Sequence, residues 1–277
     1  MQSSAFAVVM SMLVLLLVPA QAGAQELAAC NGAPGAVSLR EQIVGCTALI
    51  DSAQFADVAL ARLLDRRGNL YGAAGEFRLA LTDFDRALSL DPNDRAAFLG
   101  RAITHAKMGE FDAAVADATQ AIAMNPNDAA AYFERAFVYA SRADYADAIA
   151  DEGQVIRIHP DDARAYDNRC FYRAIVGEAL DQALADCEQA LALMPRDATV
   201  LGALGFTYLR LGKADQALGA FGAALQLDPG RAFFLFGRGL AEQRGGDVVG
   251  GILDMSEAAA VQADIAEVYA RYGLASR

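Results

Sequence analysis

Tryptophan is absent from the chain, histidine occurs only as His105 and His159, and proline only seven times. No two cysteines lie two to four residues apart and both histidines are remote from all four, so no zinc-ligand spacing is present. Positive charge is scarce as well: 23 Lys and Arg against 35 Asp and Glu leave a formal net charge of −12. Such a chain lacks the basic face that would displace counterions from a phosphate backbone or an anionic bilayer, so no nucleic-acid partner is expected. There is no Gly-rich phosphate loop and no Ser and His arrangement, and the paired carboxylates recur with a repeat. Catalytic, metal and cofactor sites are therefore not expected. The 24 glycines follow no three-residue period, while 55 % hydrophobic and 21 % charged residues over 277 positions describe a folded chain.

The first 24 residues carry no charged side chain, and Ala5 to Val18 form an apolar run closed by Pro19. That run is too short to span a bilayer comfortably. Small residues follow as Ala20-Gln21-Ala22 or Ala22-Gly23-Ala24, the pattern of a cleaved export signal over residues 1–24, although no Lys or Arg precedes the run. Leu27-Ala28-Ala29-Cys30 is similar to a lipoprotein processing box, but Glu26 and the distance from Val18 separate it from the apolar run. The expected mature chain is periplasmic or secreted and has no transmembrane span. Its cysteines, Cys30, Cys46, Cys170 and Cys187, are even in number, which favours disulfides in an oxidising compartment, with four buried thiols as the alternative.

Five prolines, Pro92, Pro126, Pro160, Pro195 and Pro229, recur at intervals of 34, 34, 35 and 34 residues. Each stands in a stop-and-restart segment such as Leu90-Asp91-Pro92-Asn93-Asp94. With proline at position 32, the units are 61–94, 95–128, 129–162, 163–197, 198–231 and 232–264. Small residues recur at position 8 (Gly68, Ala102, Ala136, Cys170, Gly205, Gly239) and position 20 (Ala80, Ala114, Ala148, Ala183, Ala217, Gly251), where two helices must approach closely. Larger residues recur at position 4, among them Leu64, Phe98 and Tyr132, and turns are expected near position 15 at Gly109, Gly177, Gly212 and Gly246. Ser38-Leu39-Arg40-Glu41 is a capping box opening a leading helix to about Ser52 within the segment 25–60. Residues 265–277 hold a closing helix and tail, the helix beginning at Asp264 and running to about Gly273.

This period and its small-residue positions resemble the tetratricopeptide repeat family over roughly three quarters of the chain. The resemblance implies an all-α, right-handed solenoid of about six helix hairpins, with a leading cap and a solvating last helix.

Arg67, Arg101, Arg135, Arg169 and Arg238 share position 7, and Asp83, Asp117, Asp151, Asp186 and Asp254 share position 23. The fifth unit has Leu204 and Ala220 instead, so both partners are lost together. The expected role is an ion pair inside each hairpin rather than an acidic-ligand site. The spacing of Cys30 from Cys46, and of Cys170 from Cys187 across one hairpin, suits two local bridges. The cysteine-bearing hairpin looks like a group of exported bacterial repeat proteins of undefined role.

The resemblance further implies that the first helix of each hairpin lines a concave face. Leu99, Ile103, Phe133, Phe137, Phe171 and Phe206 on that face form an expected apolar groove for a protein or peptide partner, with packing on the neighbouring hairpin as the alternative. The Lys, Asn and Arg set by which some relatives grip peptide carboxylates is missing. His105 and His159 are expected to be structural. The expected function is a non-enzymatic interaction scaffold of the cell envelope; the alternatives are a structural subunit or spacer of an export or secretion assembly, and a periplasmic holdase.

Overall fold

The computed structural model describes residues 25–32 and 37–274, and the expected export signal lies outside them. The architecture is all-α. Residues 25–30 form α1. There follow α2 (Leu39–Asp51), α3 (Asp57–Ala73), α4 (Phe77–Leu90), α5 (Arg95–Lys107), α6 (Phe111–Met124), α7 (Ala129–Ser141), α8 (Tyr145–Ile158), α9 (Ala163–Val176) and α10 (Leu180–Leu193). The last are α11 (Ala198–Arg210), α12 (Ala214–Leu227), α13 (Ala232–Gly245), α14 (Val248–Val261) and α15 (Ile265–Arg271).

Local chemistry accounts for the alternation. Asp94, Asp162 and Asp197 each follow a proline segment and cap the next helix, accepting from two backbone N–H groups; Asp128 accepts from one. Within the hairpins, Gly75, Gly109, Gly177, Gly212 and Gly246 adopt φ between 74° and 99°, which glycine reaches without steric cost. Ala143 holds the corresponding turn between α7 and α8 at φ 65°. The leading helix α2 opens on the expected capping box, with Ser38 Oγ accepting from Glu41 N–H and Glu41 Oε2 accepting from Ser38 N–H.

The chain divides into two compact units, Met1–Pro126 and Asn127–Arg277. In the first, α2 packs on α3, and the hairpins α3–α4 and α5–α6 stack through α4 and α5. In the second, α7–α8, α9–α10, α11–α12 and α13–α14 stack in chain order, and α15 packs on α13 and α14.

The core of each hairpin is fixed by position 8 on its first helix and position 24 on its second. A Cβ on Gly68 would stand 2.9 Å from Phe84, and one on Gly205 2.9 Å from Phe221. The following hairpin contributes another glycine to the same rings, since a Cβ on Gly100 would meet Phe84 at 2.6 Å and one on Gly237 would meet Phe221 at 2.3 Å. Elsewhere the two positions hold Ala102 with Ala118, Ala136 with Glu152, Cys170 with Cys187 and Gly239 with Met255. All the alanines and cysteines of this series are fully buried. Both the size and the chemistry of the pair thus change from hairpin to hairpin.

Candidate interaction face

The arginines of position 7 lie inside their hairpins. Arg67 Nε and Nη2 donate to Asp83 at 2.7 Å each, Arg101 to Asp117 at 2.7 Å each, and Arg135 to Asp151 at 2.8 Å each. Arg169 holds Asp186 at 2.9 and 2.6 Å, and Arg238 holds Asp254 at 2.5 and 2.8 Å. These bidentate pairs occupy both carboxylate oxygens, so little of either charge is left for a ligand. Arg101 also reaches Asp85 at 2.7 Å, Arg173 adds a second cation to Asp186, and Arg67 Nη1 donates to Thr47 Oγ1 at 3.1 Å, tying α2 to α3. In α11–α12, Leu204 and Ala220 are buried where the ion pair would be.

The cysteines form two bridges. Cys30–Cys46 joins α1 to α2 with Cα atoms 4.6 Å apart, and Cys170–Cys187 joins α9 to α10 with Cα atoms 5.3 Å apart. Thr207 Oγ1 on α11 packs against the second bridge, 3.3 Å from Cys170 Sγ. Of the two histidines, His105 Nδ1 lies 2.6 Å from Glu110 Oε2 across the α5–α6 turn, and His159 caps the end of α8.

The residues of the expected groove fall into both units. Leu99 and Ile103, on α5, belong to the first and are half-buried. On the same unit Asp65 is pushed up to about 6 by burial and then by Asp94, with Asn69 opposing. Phe133, Phe137, Phe171 and Phe206 belong to the second unit. Phe137 is 52 % exposed and Phe133 is half-buried, the guanidinium of Arg164 lying 5.1 Å from its ring. Phe206, by contrast, is fully buried and packs against Tyr269 at 5.8 Å and Phe233 at 5.9 Å. It belongs to the core and not to a surface.

That burial comes from α15. Tyr269 is fully buried, stacks on Phe233 at 4.7 Å and donates its hydroxyl to the Phe233 carbonyl at 2.7 Å. Tyr272 meets the edges of Phe171 at 5.6 Å and Phe206 at 6.1 Å, and its carbonyl accepts from Arg210 Nη1 at 2.7 Å. The last helix is thus more than the polar cover expected of it: two tyrosines bind it to the first helices α9, α11 and α13. Spacing three residues apart on a short helix was the available signal.

Beside α15 a cavity of about 630 Å³ remains, lined by Asp167, Phe171, Thr199, Arg231, Phe233 and Tyr272 among others. Asp167 is 9 % exposed, and its Oδ1 is buried without a hydrogen-bond partner. Burial, then the nearby charge of Asp197, pushes its carboxyl up to about 7, with Arg231 opposing. The adjacent Asn168 also lines the cavity, and its Nδ2 donates to Glu152 Oε1 at 2.8 Å. Glu152 is fully buried; desolvation pushes it up to about 8, and its Oε2 has no partner. No group of ligating side chains among the described residues is arranged to hold a metal ion, and no described helix is long and apolar enough to cross a membrane.

Three family models, each described as tetratricopeptide repeat, match residues 61–94, 99–163 and 178–234. Among curated proteins there is no match. Similar solved structures include a tetratricopeptide repeat protein from Parabacteroides merdae ATCC 43184, 18 % identical with a TM-score of 0.71, covering 92 % of this chain and all of that one. MamA is 20 % identical with a TM-score of 0.53, over 66 % of this chain and 97 % of that one. YrrB, described as a tetratricopeptide repeat protein with an unusual peptide-binding site, is 20 % identical with a TM-score of 0.52, over 69 % of this chain and 98 % of that one. At these identities the likeness is one of fold. The repeat period, the hairpins with small residues where their helices meet, and the three model matches together place this chain in the tetratricopeptide repeat family.

Proposed function

We propose that this interaction scaffold is an adaptor of the cell envelope that holds a polypeptide against the first-helix face of its second unit. The observation that carries the reading is the combination of exposed Phe137, half-buried Phe133 and the aromatic-lined cavity at Phe171 and Tyr272. Apolar rings left partly open beside a built cavity are what peptide recognition uses, since their burial drives association while a few polar groups set register. YrrB, a structure of the same fold, is described as having a peptide-binding site. For the compartment, two disulfides suit an oxidising environment, and the apolar run at 5–18 suits export. The adaptor reading is a non-catalytic one.

A second reading, a spacer that makes its contacts through other surfaces, is favoured by one observation. On α14, Val248, Val249, Ile252 and Leu253 are 54, 71, 55 and 65 % exposed, an apolar face that single exposed residues do not explain. A photo-crosslinking amino acid placed at Phe137, and separately at Val249, in cells that make the protein distinguishes the two. The adaptor reading predicts a discrete adduct from Phe137. Adducts from Val249 with none from Phe137 would replace it by the spacer reading.

A further inference from the structure

We infer that the cavity beside Asp167 takes the lysine or arginine side chain of the bound polypeptide, Asp167 pairing with its charge while Phe171, Phe233 and Tyr272 pack on its stem. The inference rests on the adaptor reading and names what the face selects.

The starting observation is an imbalance among the buried acids. Asp83, Asp117, Asp151, Asp186 and Asp254 each receive two hydrogen bonds from an arginine of their own hairpin. Asp167 is as deeply placed, lies at position 5 of its first helix and has an oxygen with no partner. An unpaired buried carboxylate is costly, and a residue that retains it in a cavity wall is a candidate for a ligand of opposite charge. Its raised proton affinity, to about 7, is the same cost seen by titration, and an incoming cation relieves it.

The rest of the wall fits an alkyl cation. Phe171 lies 5.7 Å from Phe233 and 5.6 Å from Tyr272, so three ring systems converge on one side of the cavity. Ring faces attract both an aliphatic stem and the charge at its end. Asn168, Thr199 and Gln262 line the same space and supply acceptors for the remaining N–H groups. Arg231 is the cation in the wall, and it is already engaged: its guanidinium lies 4.7 Å from the Phe234 ring, 3.3 Å from Thr199 Oγ1 and 3.9 Å from Asp228. Asp167 is the carboxylate of the wall, and Asp197, which caps α11 close by, adds negative charge to its surroundings. The volume, about 630 Å³, exceeds what one side chain needs and leaves room for neighbouring backbone, which argues for a residue in a chain over a free amine.

The test is an NMR titration of the full mature chain with N-acetyl-lysine amide and with N-acetyl-norleucine amide, which shares the stem and lacks the charge. Backbone signals of Asn168, Thr199 and Ala203 should shift saturably, with the lysine probe binding at least ten-fold more tightly. Asp167→Asn should abolish that preference while its far-UV circular dichroism stays unchanged. Equal binding of the two probes, or an unaltered preference in Asp167→Asn, would overturn the inference. Cadaverine binding more tightly than the lysine probe would also overturn it, by assigning the cavity to a free amine. Partner adducts from Phe137 alongside an unselective cavity would sink this inference alone and leave the adaptor reading standing.

Discussion

Two junctions in the second unit solve the same packing problem with opposite chemistry. Between α12 and α13, Phe221 is fully buried between Gly205 and Gly237, whose missing Cβ atoms make room for its ring. Between α8 and α9, the equivalent position on the second helix is Glu152, and Asn168 stands where the glycine would be, joined to it by one hydrogen bond of 2.8 Å. The first junction gains stability from apolar area. The second buries a carboxyl group with one oxygen unsatisfied, next to the cavity wall at Asp167. The lesson is that the repeat specifies where two helices meet and leaves the chemistry of the contact open, and that the hairpins lining the cavity spend some stability on polar groups.

The largest effect should follow from emptying the apolar junction. Phe221→Ala is expected to cost about 3–5 kcal/mol in chemical denaturation, because the glycines around it cannot fill the void. Next comes the bridge that occupies the same pair of positions in α9–α10: replacing Cys170 and Cys187 by alanine should cost about 3 kcal/mol, the chain-entropy value for a loop of this length. Reductant should lower the wild-type Tm by more than that of the variant, which keeps only the Cys30–Cys46 bridge.

The polar junction should respond to pH instead. Folding holds Glu152 up to about 8 against an ordinary value of 4.5, so the folded state binds the extra proton between those limits. Stability from this group is complete below pH 4.5 and is lost as pH rises toward 8. Glu152→Gln should therefore show a shallower fall in Tm between pH 5 and 9, the two curves diverging in favour of the variant at the alkaline end. Parallel curves would mean that Glu152 is already ionised in the folded protein.

Two small effects sharpen the picture. Ala143→Gly should stabilise by about 1 kcal/mol, because Ala143 alone holds with a side chain a turn conformation that Gly75, Gly109, Gly177, Gly212 and Gly246 hold in the other hairpins. Arg238→Leu with Asp254→Ala, which copies the Leu204 and Ala220 of α11–α12, should change stability by less than about 1 kcal/mol, whereas Arg238→Ala alone leaves Asp254 buried without its partner and should cost about 2 kcal/mol.

Much of this fold was legible before any coordinates. Proline at intervals of 34 or 35 residues marks where a helix cannot continue, and after four of the five an aspartate two residues later caps the next one. The joint loss of Arg and Asp in one unit pointed to the bidentate pairs. The interaction face was less legible. Periodicity assigns Phe137 and Phe206 to the same position, yet one is half-exposed and the other fully buried, because α15 covers only the later hairpins. The division at Pro126 and Asn127 falls in a proline segment that closely matches the one at Pro92, where no division occurs. Position 24, where Phe84, Glu152, Cys187 and Phe221 stand, looks irregular in sequence, and the two phenylalanines make sense only when the glycines around them are seen.

The most direct test of the account is the affinity of a partner peptide, recovered from the Phe137 adduct, for the wild-type chain and for Phe137→Asp. The account predicts a loss of at least ten-fold with helicity and Tm unchanged. Equal affinity in the two proteins would contradict it.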